Sequence, residues 1–158
     1  MERSGYGGTG GNTNQAVLDI TDEAIAATLI GDIEVHGDAL AKFASGAVGS
    51  IASSGKLIVD GANAFVANAA EVGSNSALAA LATNAGDFEL YSGASVAIAS
   101  NLTNSGTLSI DPVAVNGPIG KGGSTLTVNG TLNNTGRLVI GSGPAAPTTA
   151  GTDQQRVH

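Results

Sequence analysis

Apolar and polar residues alternate along this chain in short phrases, and each phrase follows a glycine. The copies are Gly31-Asp-Ile33-Glu-Val35, Gly55-Lys-Leu57-Ile-Val59, Gly86-Asp-Phe88-Glu-Leu90, Gly106-Thr-Leu108-Ser-Ile110 and Gly136-Arg-Leu138-Val-Ile140. Alternation of this kind predicts a strand with one buried face. Its return after a turn residue predicts a solenoid in which each copy is one rung.

Upstream of the glycines the repeat continues with uneven clarity. Val96, Ile98 and Leu102 precede Gly106, and Leu126, Val128 and Leu132 precede Gly136 at the same offsets. The equivalent places before Gly86 hold Ser76, Leu78 and Ala82, and those before Gly55 hold Ser45, Ala47 and Ile51. Gly86 and Gly106 are about 20 residues apart, within the range of one solenoid turn. The intervals from Gly55 to Gly86 and from Gly106 to Gly136 hold about ten residues more, on the same scale. The extra residues are expected as loops near Asn63 to Asn75 and Asp111 to Gly123, on a face that solenoids often use for binding. The expected architecture is an all-β parallel β-helix of about four to five rungs over residues 15–140. Flexible tails are expected at 1–14 and 141–158, which are rich in Gly, Thr and Ala. Residues 17–30 read as strands of an earlier rung, with a capping helix from Thr21 as the competitor.

The glycine at each phrase is expected to supply φ > 0 at a corner. Asn84, Asn104 and Asn134 stand two places before three of these glycines. Either they stack amide on amide as a ladder or each makes only its own turn. The outward positions pair Asp32 with Glu34, Lys56 with Ile58, Asp87 with Glu89, Thr107 with Ser109 and Arg137 with Val139. If the rungs stack in order, Lys56 lies between Asp32 and Asp87, where opposite charges support the register.

Composition narrows the picture. Apolar residues make up 42% of the chain but aromatics only 3%, so small aliphatic side chains must fill a narrow interior. The net charge of -7, with only six basic residues, provides no basic patch and argues against a nucleic-acid partner. No apolar run is long enough to span a membrane. Absence of cysteine excludes disulfides and thiolate metal sites, and suits a chain that crosses a periplasm.

Candidate chemistry is sparse. Asp32/Glu34 and Asp87/Glu89 are carboxylate pairs on one strand face, a pattern able to serve acid–base work on a sugar or to bind calcium. No third ligand accompanies them, so a solvated face is expected. His36 has no Ser, Cys or second His beside it and reads as a surface turn residue. Gly5-Tyr-Gly7-Gly-Thr-Gly10 lacks the preceding strand of a dinucleotide fingerprint, and Gly120-Lys-Gly-Gly lacks the spacing of a phosphate loop. No catalytic, cofactor-binding or metal site is expected.

The stretches Leu102-Thr-Asn-Ser-Gly-Thr-Leu-Ser-Ile110 and Leu126-Thr-Val-Asn-Gly-Thr-Leu-Asn-Asn-Thr-Gly-Arg-Leu-Val-Ile140 resemble the β-helical passenger repeats of bacterial autotransporters and filamentous-haemagglutinin-like adhesins. The resemblance covers about residues 31–140. It implies a right-handed parallel β-helix displayed outside the cell, with an adhesive, biofilm or stalk role; from its own residues this chain is expected to be non-catalytic. Expected partners are further rungs of a longer surface protein, a second chain recruited by the unpaired strand edges of the end rungs, or a host surface or glycan. The first residues have no signal-peptide pattern and no membrane barrel follows, so the chain is expected to be a piece of a longer exported protein, a truncated gene product or a short paralogue, or else not exported by that route. A carbohydrate-active β-helix, such as a lyase or tailspike, is the rival reading, with Asp87, Glu89 and Lys56 as its converging groups.

Overall fold

The computed structural model describes residues 15–112 and 122–141. It is a parallel β-solenoid of five rungs, each contributing one strand to each of three faces. The first face carries β1 (Ala16–Ala24), β4 (Ala39–Ser45), β7 (Phe65–Asn68), β10 (Ser95–Ile98) and β13 (Thr125–Val128). The second carries β2 (Thr28–Leu29), β5 (Ser50–Ile51), β8 (Thr83–Asn84), β11 (Leu102–Asn104) and β14 (Leu132–Asn134). The glycine phrases form the third face: β3 (Asp32–His36), β6 (Lys56–Asp60), β9 (Asp87–Tyr91), β12 (Thr107–Ile110) and β15 (Arg137–Ile140). The segment 17–30 therefore carries strands, β1 and β2, as the first two sides of a rung, and the competing helix from Thr21 does not form. The expected tails fall outside the described residues, apart from Gly141, as does most of the expected second loop.

The third face keeps its register through all five rungs. Ile33, Leu57, Phe88, Leu108 and Leu138 form one column, and Val35, Val59, Leu90, Ile110 and Ile140 form a second. Leu57, Phe88, Leu90 and Leu108 are wholly buried, and the second-face Leu102 joins them. Each such burial is worth roughly 1.5–3 kcal/mol, so these columns are the main cohesive force.

Two expectations about the turns need correction. None of Gly31, Gly55, Gly86, Gly106 and Gly136 has positive φ. Instead, a Cβ on Gly86 would strike the carbonyl oxygen of Gly55, one on Gly106 that of Gly86, and one on Gly136 that of Gly106. Glycine is required there because the backbone of one rung rests on the next. Positive φ occurs at the opposite end of the third-face strands, at Gly37, Gly61, Ser92, Asp111 and Gly141. These five residues each follow the last residue of a third-face strand, and the first four turn the chain into the next rung.

The expected loop at Asn63 to Asn75 is also relocated. Phe65–Asn68 is β7, a regular strand on β4, and the added residues lie after it. They carry a short 3-10 turn, Ser76–Leu78, that separates β7 from β10 and divides the first face into two sheets. Asn75 spans the break. Its buried Oδ1 accepts the Val66 amide at 2.7 Å, and its Nδ2 donates to the carbonyl oxygens of Ser95 (2.9 Å) and Ala64 (3.3 Å). One side chain thus satisfies backbone groups that a neighbouring strand would otherwise pair. The alignment of Ile51 with Leu102 also shifts: Ile51 lies beside Asn84, because the chain takes two more residues to turn from Ile51 to Gly55.

Candidate functional site

Alternation on β3, β6 and β9 turns one set of side chains into the bore and the other outward. Outward in the first rung stand Asp32, Glu34 and His36, in the second Lys56, Ile58 and Asp60, and in the third Asp87, Glu89 and Tyr91. The register places Lys56 between Asp32 and Asp87, as expected. Its ion pair, however, is diagonal, from Nζ to Glu34 Oε1 at 3.4 Å. The carboxylate pairs do share one face, but they do not converge: Glu34 turns to Lys56 and His36, while Glu89 accepts the hydroxyl hydrogen of Tyr91.

His36 is no isolated turn residue. Nδ1 lies 3.1 Å from Asp60 Oδ2 and Nε2 lies 3.3 Å from Glu34 Oε2. Both ring nitrogens face acceptors, so both bonds form together only when the imidazole is protonated. The Asp60 hydrogen bond, aided by Glu34, raises the His36 pKa above its ordinary value against a smaller opposing effect of burial. The His36 bond, with help from Lys56, holds Glu34 below the ordinary carboxylate value. Tyr91 is pushed up from its ordinary phenol value by burial first and by the Glu89 carboxylate second. Glu34, His36, Lys56 and Asp60 form a polar network across the first two rungs, the Tyr91–Glu89 pair lies in the third, and the buried outward side chain of Ile58 stands in register between Glu34 and Glu89.

Asp60 and Tyr91 are the members that sequence reading missed. They occupy the fifth place after Gly55 and Gly86, as His36 does after Gly31, so extending each phrase by one residue reveals the row. Asp111 occupies the same place after Gly106. Its Oδ1 accepts the Ser92 amide at 3.0 Å and its Oδ2 the Ser124 amide at 2.8 Å, which pins both ends of the segment between rungs four and five.

A second network is buried on the second face. Asn84 Nδ2 donates to Asn104 Oδ1 at 2.7 Å, and Asn104 Nδ2 donates to Asn134 Oδ1 at 2.6 Å. The asparagines therefore stack as a ladder. Among the described residues Asn84 Oδ1 is the buried side-chain atom left without a partner, because Ile51 replaces asparagine in the rung beneath. This network is structural: every other bond its amides make goes to backbone of its own or the next rung.

No group of acids and histidines among the described residues is arranged to hold a metal ion. Two cavities stand apart from the polar network's centre. One, of about 470 Å³, opens at the N-terminal end between β1 and β3. The other, of about 340 Å³, follows the break in the first face beside Asn75 and Glu71. The chain matches no family model, no curated protein and no solved structure.

Proposed function

We propose that this chain is a non-catalytic structural and adhesive segment of a bacterial surface protein, similar in role to an autotransporter passenger. The observation that carries this reading is the direction of the polar bonds on the third face. Glu34, His36, Lys56 and Asp60 bond across neighbouring rungs, and Tyr91 bonds Glu89 within its own. A general acid and base must instead reach a substrate atom, with a water or a sugar oxygen between the two carboxyls. Side chains already satisfied by neighbours tie rungs together and leave a stiff rod with a hydroxyl- and amide-rich surface.

The test pairs binding with turnover. Immobilised chain is offered to host-cell surfaces and to a panel of neutral and acidic polysaccharides, and products are followed by reducing-end and unsaturation assays. The reading expects retention on a surface or glycan, no depolymerisation, and no change in Glu89→Gln or His36→Gln. Depolymerisation abolished by Glu89→Gln would replace it with the carbohydrate-active reading.

A further inference from the structure

The two ends of the solenoid follow one plan but carry different chemistry. At the C-terminal end β13, β14 and β15 each have one strand edge without a neighbour among the described residues. There the bore residues Leu132 and Leu138 are partly uncovered, and Ile140 is 70% exposed. At the N-terminal end β1, β2 and β3 each have the opposite edge without a neighbour among the described residues. The cavity of about 470 Å³ opens there, with Leu18, Ile33, Val35 and Ala41 in its wall. Leu18, in the row of the bore residues Ala41 and Val66, is 58% exposed.

We propose that these two ends bind each other, so that a second copy of this chain continues the solenoid head to tail. On the third face the parallel register runs unbroken from Asp32 through Lys56, Asp87 and Thr107 to Arg137. A β3 strand from another copy, laid on β15, is the next step of that ladder. The step seats Leu138 on Ile33 and Ile140 on Val35, joining both apolar columns. It also sets Arg137 beside Asp32, repeating the cation–acid alternation that Lys56 makes inside the chain. On the second face the same step brings Asn133 beside Thr28, which occupy one register row, an amide against a hydroxyl.

Charge selects this mode over its rivals. Two C-terminal ends placed face to face would run β15 antiparallel to its copy, and that strand holds no acid to meet Arg137. Two N-terminal ends would pair β3 antiparallel to its copy: centred on Ile33 this sets Asp32 against Glu34, and centred on Glu34 it sets Glu34 against itself while Asp32 meets His36, so either register opposes like charges. Head and tail are different surfaces, so the contact does not close after two copies and extends into rods. The inference is independent of the adhesive reading, because it concerns only the ends of the stack.

Sedimentation velocity of the full chain over a wide concentration range tests it. Mass should grow past that of a dimer as concentration rises. Arg137→Glu and Asp32→Lys should each weaken association about tenfold, by exchanging an opposite-charge pair for a like-charge one. The double variant, carrying both in one chain, should return to near the parent. Both positions are exposed, and far-UV circular dichroism is the check that the variants fold. A monomer at every concentration, or a dimer that stops at two copies and ignores both charge changes, would overturn the proposal.

Discussion

Leu108 and Leu138 hold the same place in successive rungs, yet Leu108 is fully buried and Leu138 is 36% exposed. The difference is only what lies above and below. Leu108 has Phe88 on one side and Leu138 on the other, whereas Leu138 has a neighbour on one side among the described residues. Middle rungs and end rungs therefore share a sequence pattern and differ in energy. In a solenoid each rung depends on its two neighbours, so stability is a sum over interfaces and the ends lack one term each.

The sharpest way to break that comparison is to place a charge in the column. Leu108→Asp buries a carboxylate among Phe88, Leu138 and Leu102, and should leave no cooperative unfolding transition at room temperature. Leu138→Asp should cost less than half as much, because water already reaches that place. Denaturant titration of the two variants reads the ratio, and equal losses would show that the rungs are not stacked in this order.

The glycines give a second contrast of the same kind. Gly106→Ala forces a methyl group against the backbone of Gly86 and Ala85, where no side chain can move aside. About 3 kcal/mol should be lost, at the upper end for overpacking. Gly31→Ala meets nothing within 4 Å, because no rung lies beneath the first among the described residues, and should change stability by less than about 0.5 kcal/mol. Thermal melts of the two alanine variants distinguish stacking from turn geometry as the reason for the repeat.

The asparagine ladder offers a smaller effect. Asn104→Leu removes the donor to Asn134 Oδ1 and Arg137 O and the acceptor for Asn84 Nδ2, and should cost about 1–3 kcal/mol. Asn134→Leu, at the exposed end of the ladder, should cost less. Urea midpoints of the two variants provide the comparison.

The smallest effect is the pH dependence of the polar network. His36 has a raised folded pKa, so its contribution is complete below its ordinary value near 6.5 and is lost as pH rises through the higher folded value. Glu34 has a lowered folded pKa, so its contribution is complete above about 4.5 and is lost as pH falls through the lower folded value. Stability from this pair should therefore peak between about pH 4.5 and 6.5. Melting temperature against pH should show a shallow maximum there, and His36→Gln should remove its alkaline slope. Both groups are largely solvated, so the change should be slight.

Much of this was legible before the coordinates. Alternation in the glycine phrases located β3, β6, β9, β12 and β15, and their register followed from counting from the glycine. Reading failed where the chain leaves the repeat. Ser76-Ala-Leu78 matches strand positions by spacing but forms a 3-10 turn, because β7 already occupies that side of the rung. The network of His36 with Asp60 and Glu34 was invisible for another reason. Its members lie 24 and 2 residues apart, and which of them meet depends on the path of each side chain rather than on spacing.

The linear order of residues determined the rung, because a strand with one buried face needs alternation and a close backbone contact needs glycine. It determined as well the narrow aliphatic bore, since almost no aromatic side chain is present to fill a wider one. Only the tertiary structure decided which rungs are interior, why the recurring glycines are required, and which polar groups meet. Those are properties of neighbours in the stack, separated by about one turn of chain, and local sequence contains no record of what rests above or below a residue.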